Sequence, residues 1–154
     1  YRRGDDVIQL LARLLCEATD ERLDFVGHIG GDDFFVIFRS ADWEMRCWQL
    51  IAGFGEAVAN LLGVDERLRG GYMAENRRGE LSFQPLPALS IGAVRIGPGD
   101  CESHREVAAA ASAAKKQAKK RAKNPASDSM GGGLFIERRS LSGAEAAMPR
   151  PRLN

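Results

Sequence analysis

The stretch Gly27-His28-Ile29-Gly30-Gly31-Asp32-Asp33-Phe34-Phe35-Val36-Ile37-Phe38 decides how this chain is read. The apolar run Phe34 to Phe38 is aromatic and β-branched and too short for an ordinary helix. It predicts a strand over Asp33 to Arg39 that is buried on both sides. Asp24 to His28 predicts a shorter strand before it. Gly30-Gly31-Asp32 supplies the turn, because glycine reaches the positive φ that a tight hairpin requires. The stretch is therefore a β-hairpin with two glycines and two carboxylates at its tip.

Helices flank this hairpin. Upstream, Val7, Leu10, Leu11, Leu14, Leu15 and Ala18 recur at helical spacing, which predicts an amphipathic helix over Asp5 to Thr19. Downstream, Asp42 can support a helix N-terminus. Trp43, Cys47, Leu50, Ile51, Phe54, Val58, Leu61 and Leu62 carry the helical period toward Gly63. Gly70 to Gln84 reads as a second hairpin, turning near Arg77-Arg78-Gly79-Glu80 and broken by Pro85 and Pro87. Ala88 to Ile96 predicts another strand. Ser103 to Lys123 predicts an Ala-rich helix whose small face allows close approach to a sheet, stopped by Asn124-Pro125. Leu134 to Glu137 predicts an edge strand. Residues 1–139 form one domain in this reading, and 140–154 a disordered tail.

The order helix, strand, strand, helix, hairpin, strand, helix, strand implies an α+β fold with a mostly antiparallel sheet. A ferredoxin-like core would need one more strand before the first helix, and the chain begins after it.

The 154 residues carry 44% hydrophobic content and a formal net charge of +1, which suits one globular domain and predicts no general affinity for polyanions. The distribution of charge is more informative. All five lysines (Lys115, Lys116, Lys119, Lys120 and Lys123) fall in one window, a local basic stripe suited to an anionic ligand. Lys115, Lys116 and Lys120 read as a solvated face. Cys16, Cys47 and Cys101 show no zinc-type spacing, and Cys16 and Cys47 read as small buried hydrophobes. Neither His28 nor His104 has a partner at metal-ligand spacing, so both read as non-catalytic. No apolar run is long enough for a membrane span.

At the hairpin tip, Gly30 and Gly31 remove side chains where a bulky ligand could meet the backbone. Asp32 and Asp33 alternate across the strand start and so face different sides. A carboxylate there could take Mg²⁺ beside a phosphate. The same residues also fit a tight turn with solvated acids.

The GHIGGDDFFVIF segment resembles the signature hairpin of GGDEF, or diguanylate cyclase, domains, with Asp33 in place of the usual Glu. Arg3-Gly4-Asp5-Asp6-Val7-Ile8 resembles the family's Gly-Asp pair opening the helix before the hairpin. Leu89-Ser90-Ile91-Gly92 resembles its SIG strand. Ala118-Lys119 with Lys123-Asn124 resembles the AK…RN stretch closing its last helix. The four motifs are collinear over about residues 1–137.

The resemblance implies a cyclase palm and bacterial second-messenger chemistry in the cytoplasm: two GTP condense to cyclic di-GMP and pyrophosphate. By position it implies that Gly30 and Gly31 line the GTP pocket and that Asp32 binds Mg²⁺ or Mn²⁺. Asp33 stands at the second catalytic acid position. Asp5 accepts hydrogen bonds from guanine N1 and N2, and Lys119 and Lys123 hold the terminal phosphates. One domain holds one GTP, so a second GGDEF domain, as a transient homodimer, is the implied partner. Attached sensory or EAL domains are implied too. In the alternative, the domain is degenerate, binds GTP or dimerises, and regulates such a neighbour. Neither nucleic acid nor membrane is an expected partner; a nucleic-acid module would need exposed aromatics on a strand. The family's DxDxFKxxN stretch lies upstream of the first helix, before this chain starts. Its product-inhibition motif RxxD falls on Glu21-Arg22-Leu23-Asp24, with Glu21 at the arginine position, so feedback at this window is not expected.

Overall fold

A computed structural model describes residues 2–75, 79–122 and 133–138. The chain runs α1 (Arg2–Ala18), β1 (Phe25–Gly30), β2 (Asp33–Ile37), α2 (Trp43–Leu61), α3 (Val64–Arg69), β3 (Gly71–Glu75), β4 (Leu81–Pro85), β5 (Ser90–Val94), α4 (His104–Ala122) and β6 (Gly133–Glu137). The class is α+β, as the element order implies. The strands form three two-stranded pairs: β1–β2 and β3–β4 are antiparallel, and β5–β6 is parallel. A parallel pair needs a long crossover, and α4 supplies it.

The core is built by two helices. Leu10, Leu11 and Leu15 of α1 meet Leu50, Phe54 and Val58 of α2, with Leu62 closing the cluster. Leu11 and Leu15 are four apart, as are Leu50, Phe54, Val58 and Leu62 in succession, so each helix turns one apolar stripe inward. Val26, Phe34 and Val36 from the first hairpin pack on this cluster, as do Tyr72, Leu86, Leu89 and Ile91. The first hairpin and β5 thus share one core. Cys47, Ile51 and Leu134 form a second cluster beside it.

The first hairpin differs from expectation in one respect. Phe25, Phe35 and Ile37 are 56%, 42% and 55% exposed, so β2 is buried on one side only. The register pairs Phe25 with Ile37 and Gly27 with Phe35, which puts all four on the outward face. A Cβ on Gly27 would collide with the Phe35 ring, so that glycine makes room for the phenyl group. Phe25 and Phe35 are 5.7 Å apart between ring centroids. Exposed aromatics on a strand, not expected from the sequence, are therefore present.

α4 approaches β5 and β6 closely, as its alanines imply. Ala114 and Ala118 are fully buried. A Cβ on Gly92 would run into the backbone of Ala114 and Lys115, and one on Gly133 would crowd Ala118 and Ala122. Ile91 faces the helical core while Gly92 faces α4, as the strand alternation requires.

α3 was not expected. Its six residues show Val64 and Leu68 to solvent, 71% and 82% exposed. Its ends are set locally: the Glu66 carboxylate accepts from the Gly63 N–H at 3.1 Å, and Gly70 ends it with φ of +69°. The expected turn residues Arg77 and Arg78, the expected helix stop at Asn124-Pro125, Lys123 and the expected tail lie outside the described residues.

Candidate functional site

The hairpin has a base and a tip, and different chemistry fixes each. At the base, the Asp24 side chain is wholly buried. Its carboxylate accepts backbone N–H bonds from Asp20 at 3.0 Å and Arg39 at 2.8 Å. Arg46 of α2 lies 3.5 Å away, donates to the Ala18 carbonyl at 3.1 Å, and pairs with Asp42 at 2.9 Å. Asp42 is the N-cap residue of α2, yet its side chain makes no capping bond and serves Arg46 instead. Burial pushes the Asp24 carboxyl up. The N–H groups of Asp20, Arg39 and Ser40, with the Arg46 charge, outweigh that and hold it below its usual value. One carboxylate thereby ties the end of α1, both hairpin strands and the start of α2.

At the tip, Gly30 pairs with Asp33 across a Gly31-Asp32 turn. Gly31 has φ of +57° and Gly30 of +141°, both in the region that disfavours other residues. A positive φ at the first of two central residues is what a hairpin turn of this handedness needs. The register shifts between His28 and Gly30, and Ile29 is 72% exposed. His28 braces the turn. Its ring stacks on Phe34 at 4.4 Å, and its Nε2–H donates to the Gly31 carbonyl at 3.0 Å. A carbonyl only accepts, so Nε2 carries the proton. His28 is thus a turn brace.

Around both tip glycines a Cβ would meet nothing within 4 Å. The backbone there opens onto free space. Asp32 is exposed in the turn. Asp33 lies on the same strand face as Phe35 and Ile37, and its carboxylate is ion-paired with Lys115 of α4. The hydrogen bond from Lys115, with the charges of Lys115 and Lys119, holds the Asp33 carboxyl below the usual carboxylate range. The structure thus brings Gly30, Gly31, Asp32, Asp33 and the Lys119 turn of α4 to one place. Lys115, read as solvated, is in fact a partner of the tip; Lys116 and Lys120 are exposed as expected. No sequence signal distinguishes Lys115 from its neighbours, because the choice is made by the rotation of α4 on Gly92.

Asp5 is exposed in the first turn of α1. α1 rises about 25 Å over its length, at about 1.5 Å per residue, so Asp5 lies toward the far end of the helix from Ala18, whose carbonyl Arg46 holds beside Asp24. A groove of about 300 Å³ on α1, lined by Asp6, Gln9, Leu10, Arg13 and Leu61, includes none of the tip residues.

For a divalent cation, no group of three or more His, Cys, Asp or Glu side chains stands ready among the described residues. Nucleotide-bound Mg²⁺ does not need one, since one or two carboxylates plus substrate phosphates commonly hold it. Exposed Asp32 fits that single-carboxylate role. Asp33 fits it only if Lys115 yields.

The cysteines are unpaired. Burial, then the Glu44 charge, raises the Cys47 thiol to about 11, so it stays protonated and acts as core. Cys16 is exposed, not buried as expected, because it falls on the outer face of α1. No described helix is long and apolar enough to cross a membrane. Comparison with family models, with curated proteins and with solved structures gave no match.

Proposed function

We propose that this chain is a GGDEF-type domain that binds GTP at the tip of the β1–β2 hairpin. Two such domains, meeting face to face, would condense two GTP into cyclic di-GMP and pyrophosphate. The observation that carries this reading is the meeting of the acidic tip with the basic side of α4, Asp33 with Lys115 and Lys119. The four collinear motifs support the family reading. A ferredoxin-like palm is part of the proposal, supported by the first hairpin and β5 sharing one core.

The chain's own groups divide the work. Gly30 and Gly31 leave backbone open to the nucleotide. Lys119, with Lys123, holds the terminal phosphates, and Asp5 accepts from the guanine edge that adenine lacks. Asp32 would hold Mg²⁺ or Mn²⁺, which supplies charge neutralisation for phosphoryl transfer when bound. Each 3′-hydroxyl forms a bond to the partner nucleotide's α-phosphorus as the bond to pyrophosphate breaks. Cationic side chains stabilise the charge on the transferring group.

One observation favours a second reading, a GTP-binding domain that regulates an attached sensory or EAL domain without turnover. The Asp33 carboxylate is already engaged by Lys115. Incubation of the domain with GTP and Mg²⁺ separates the two. Cyclic di-GMP as product, lost in Asp32→Ala with the fold intact, supports the cyclase; GTP binding without product supports the regulator. Neither binding nor product ends both.

A further inference from the structure

We propose that Lys115 is the built-in counter-cation of Asp33, and that a divalent cation reaches this carboxylate only by displacing it. The proposal rests on the reading of the hairpin tip as a nucleotide site and adds a regulatory contact inside it.

The placement is set by packing. Gly92 brings the α4 backbone at Ala114 and Lys115 directly against β5. Ala114 and Ala118 are buried there, which fixes the rotation of the helix. Lys115 follows Ala114 and so leaves the helix beside the sheet. Its side chain then crosses to the first residue of β2 and pairs with Asp33. Lys119, one turn further along the same face, adds its charge to Asp33 without taking over the bond. Asp33 shares the outward face of β2 with Phe35 and Ile37, and the long Lys115 side chain is what links it to α4.

The chemistry follows from that geometry. Side chains 34% and 41% exposed make the pair accessible to ions and exchangeable. Such exposed pairs are weak, so a cation backed by nucleotide phosphates can compete. An ammonium at Asp33 also docks the tip onto α4 before any ligand arrives. Lys115 is thus a positioning residue: it orders the second acid and delays its use by metal.

The test measures Mn²⁺ and GTP binding by the domain in wild type, Lys115→Met and Lys115→Met with Asp33→Asn. Lys115→Met should tighten Mn²⁺ several-fold, and Asp33→Asn in that background should remove the gain. Equal Mn²⁺ affinities of wild type and Lys115→Met, with GTP still bound, overturn the displacement and leave the nucleotide reading standing. A gain that survives Asp33→Asn also overturns it, because the cation then sits elsewhere. Absence of both Mn²⁺ and GTP binding from all three proteins ends the nucleotide reading and this proposal with it.

Discussion

Asp24→Ala removes the carboxylate on which four elements converge. Three backbone donors lose an acceptor, Asp20 at 3.0 Å, Arg39 at 2.8 Å and, more weakly, Ser40 at 3.4 Å. A hydrogen bond to a charged group contributes about 1.5–3 kcal/mol. Arg39 is exposed, so water replaces part of its loss, and Arg46 keeps Asp42 and the Ala18 carbonyl. The net cost should be about 2–4 kcal/mol. With a urea dependence of about 1–3 kcal/mol per molar, the midpoint should fall by about 1–2 M. The sign of the pH dependence is fixed as well. The folded carboxyl lies below its ordinary 3.8, so its contribution is complete above that value and lost as pH falls through the folded one. Urea unfolding of wild type and Asp24→Ala at pH 7 and about pH 3 should show a large gap that narrows in acid. Asn at this position keeps one acceptor oxygen and should fall between. An unchanged midpoint, or the same gap at both pH values, would refute the clamp.

Gly92→Ala should destabilise the domain strongly, because the new methyl meets α4 backbone rather than a movable side chain; circular dichroism melting checks it, and an unshifted midpoint contradicts the close packing. Cys16 should react rapidly with a thiol reagent in the native protein, while Cys47 should react only on unfolding; fast modification of Cys47 would contradict its placement in the core. If the domain turns over GTP, cyclic di-GMP should not inhibit it through the Glu21 to Asp24 window, since Asp24 is consumed by the hairpin base. Inhibition relieved by an Arg22 substitution would oppose that.

Much of this architecture is legible in the residues, and the parts that are not have identifiable causes. α1, α2 and α4 follow from long helical periods, and the first hairpin from its glycines. α3 escapes because six residues are too few to show a period, and its ends are made by Gly63, Glu66 and Gly70 acting locally. The run Phe34 to Phe38 names a strand but not its burial: Phe34 and Val36 reach the α1–α2 cluster and Phe38 the Cys47–Ile51 cluster, while Phe35 covers Gly27 on the other face. The two glycines and Asp32 at the tip could be placed from the turn alone. The partner of Asp33 could not, because five lysines in one window look alike until Gly92 and Ala114 set the helix against the sheet. Asp24 is hidden for a similar reason. Its donors come from residues 39, 40 and 46, whose approach depends on the closed hairpin.

The central claim is that the hairpin tip and α4 together hold GTP. Isothermal titration of the domain with GTP and with ATP, each with Mg²⁺, on wild type and Lys119→Ala, tests it most directly. The account predicts saturable GTP binding, weaker ATP binding, and at least about tenfold loss of GTP affinity in Lys119→Ala, as removal of a charged phosphate contact implies. No binding of GTP, or equal binding of both nucleotides untouched by the substitution, would contradict it.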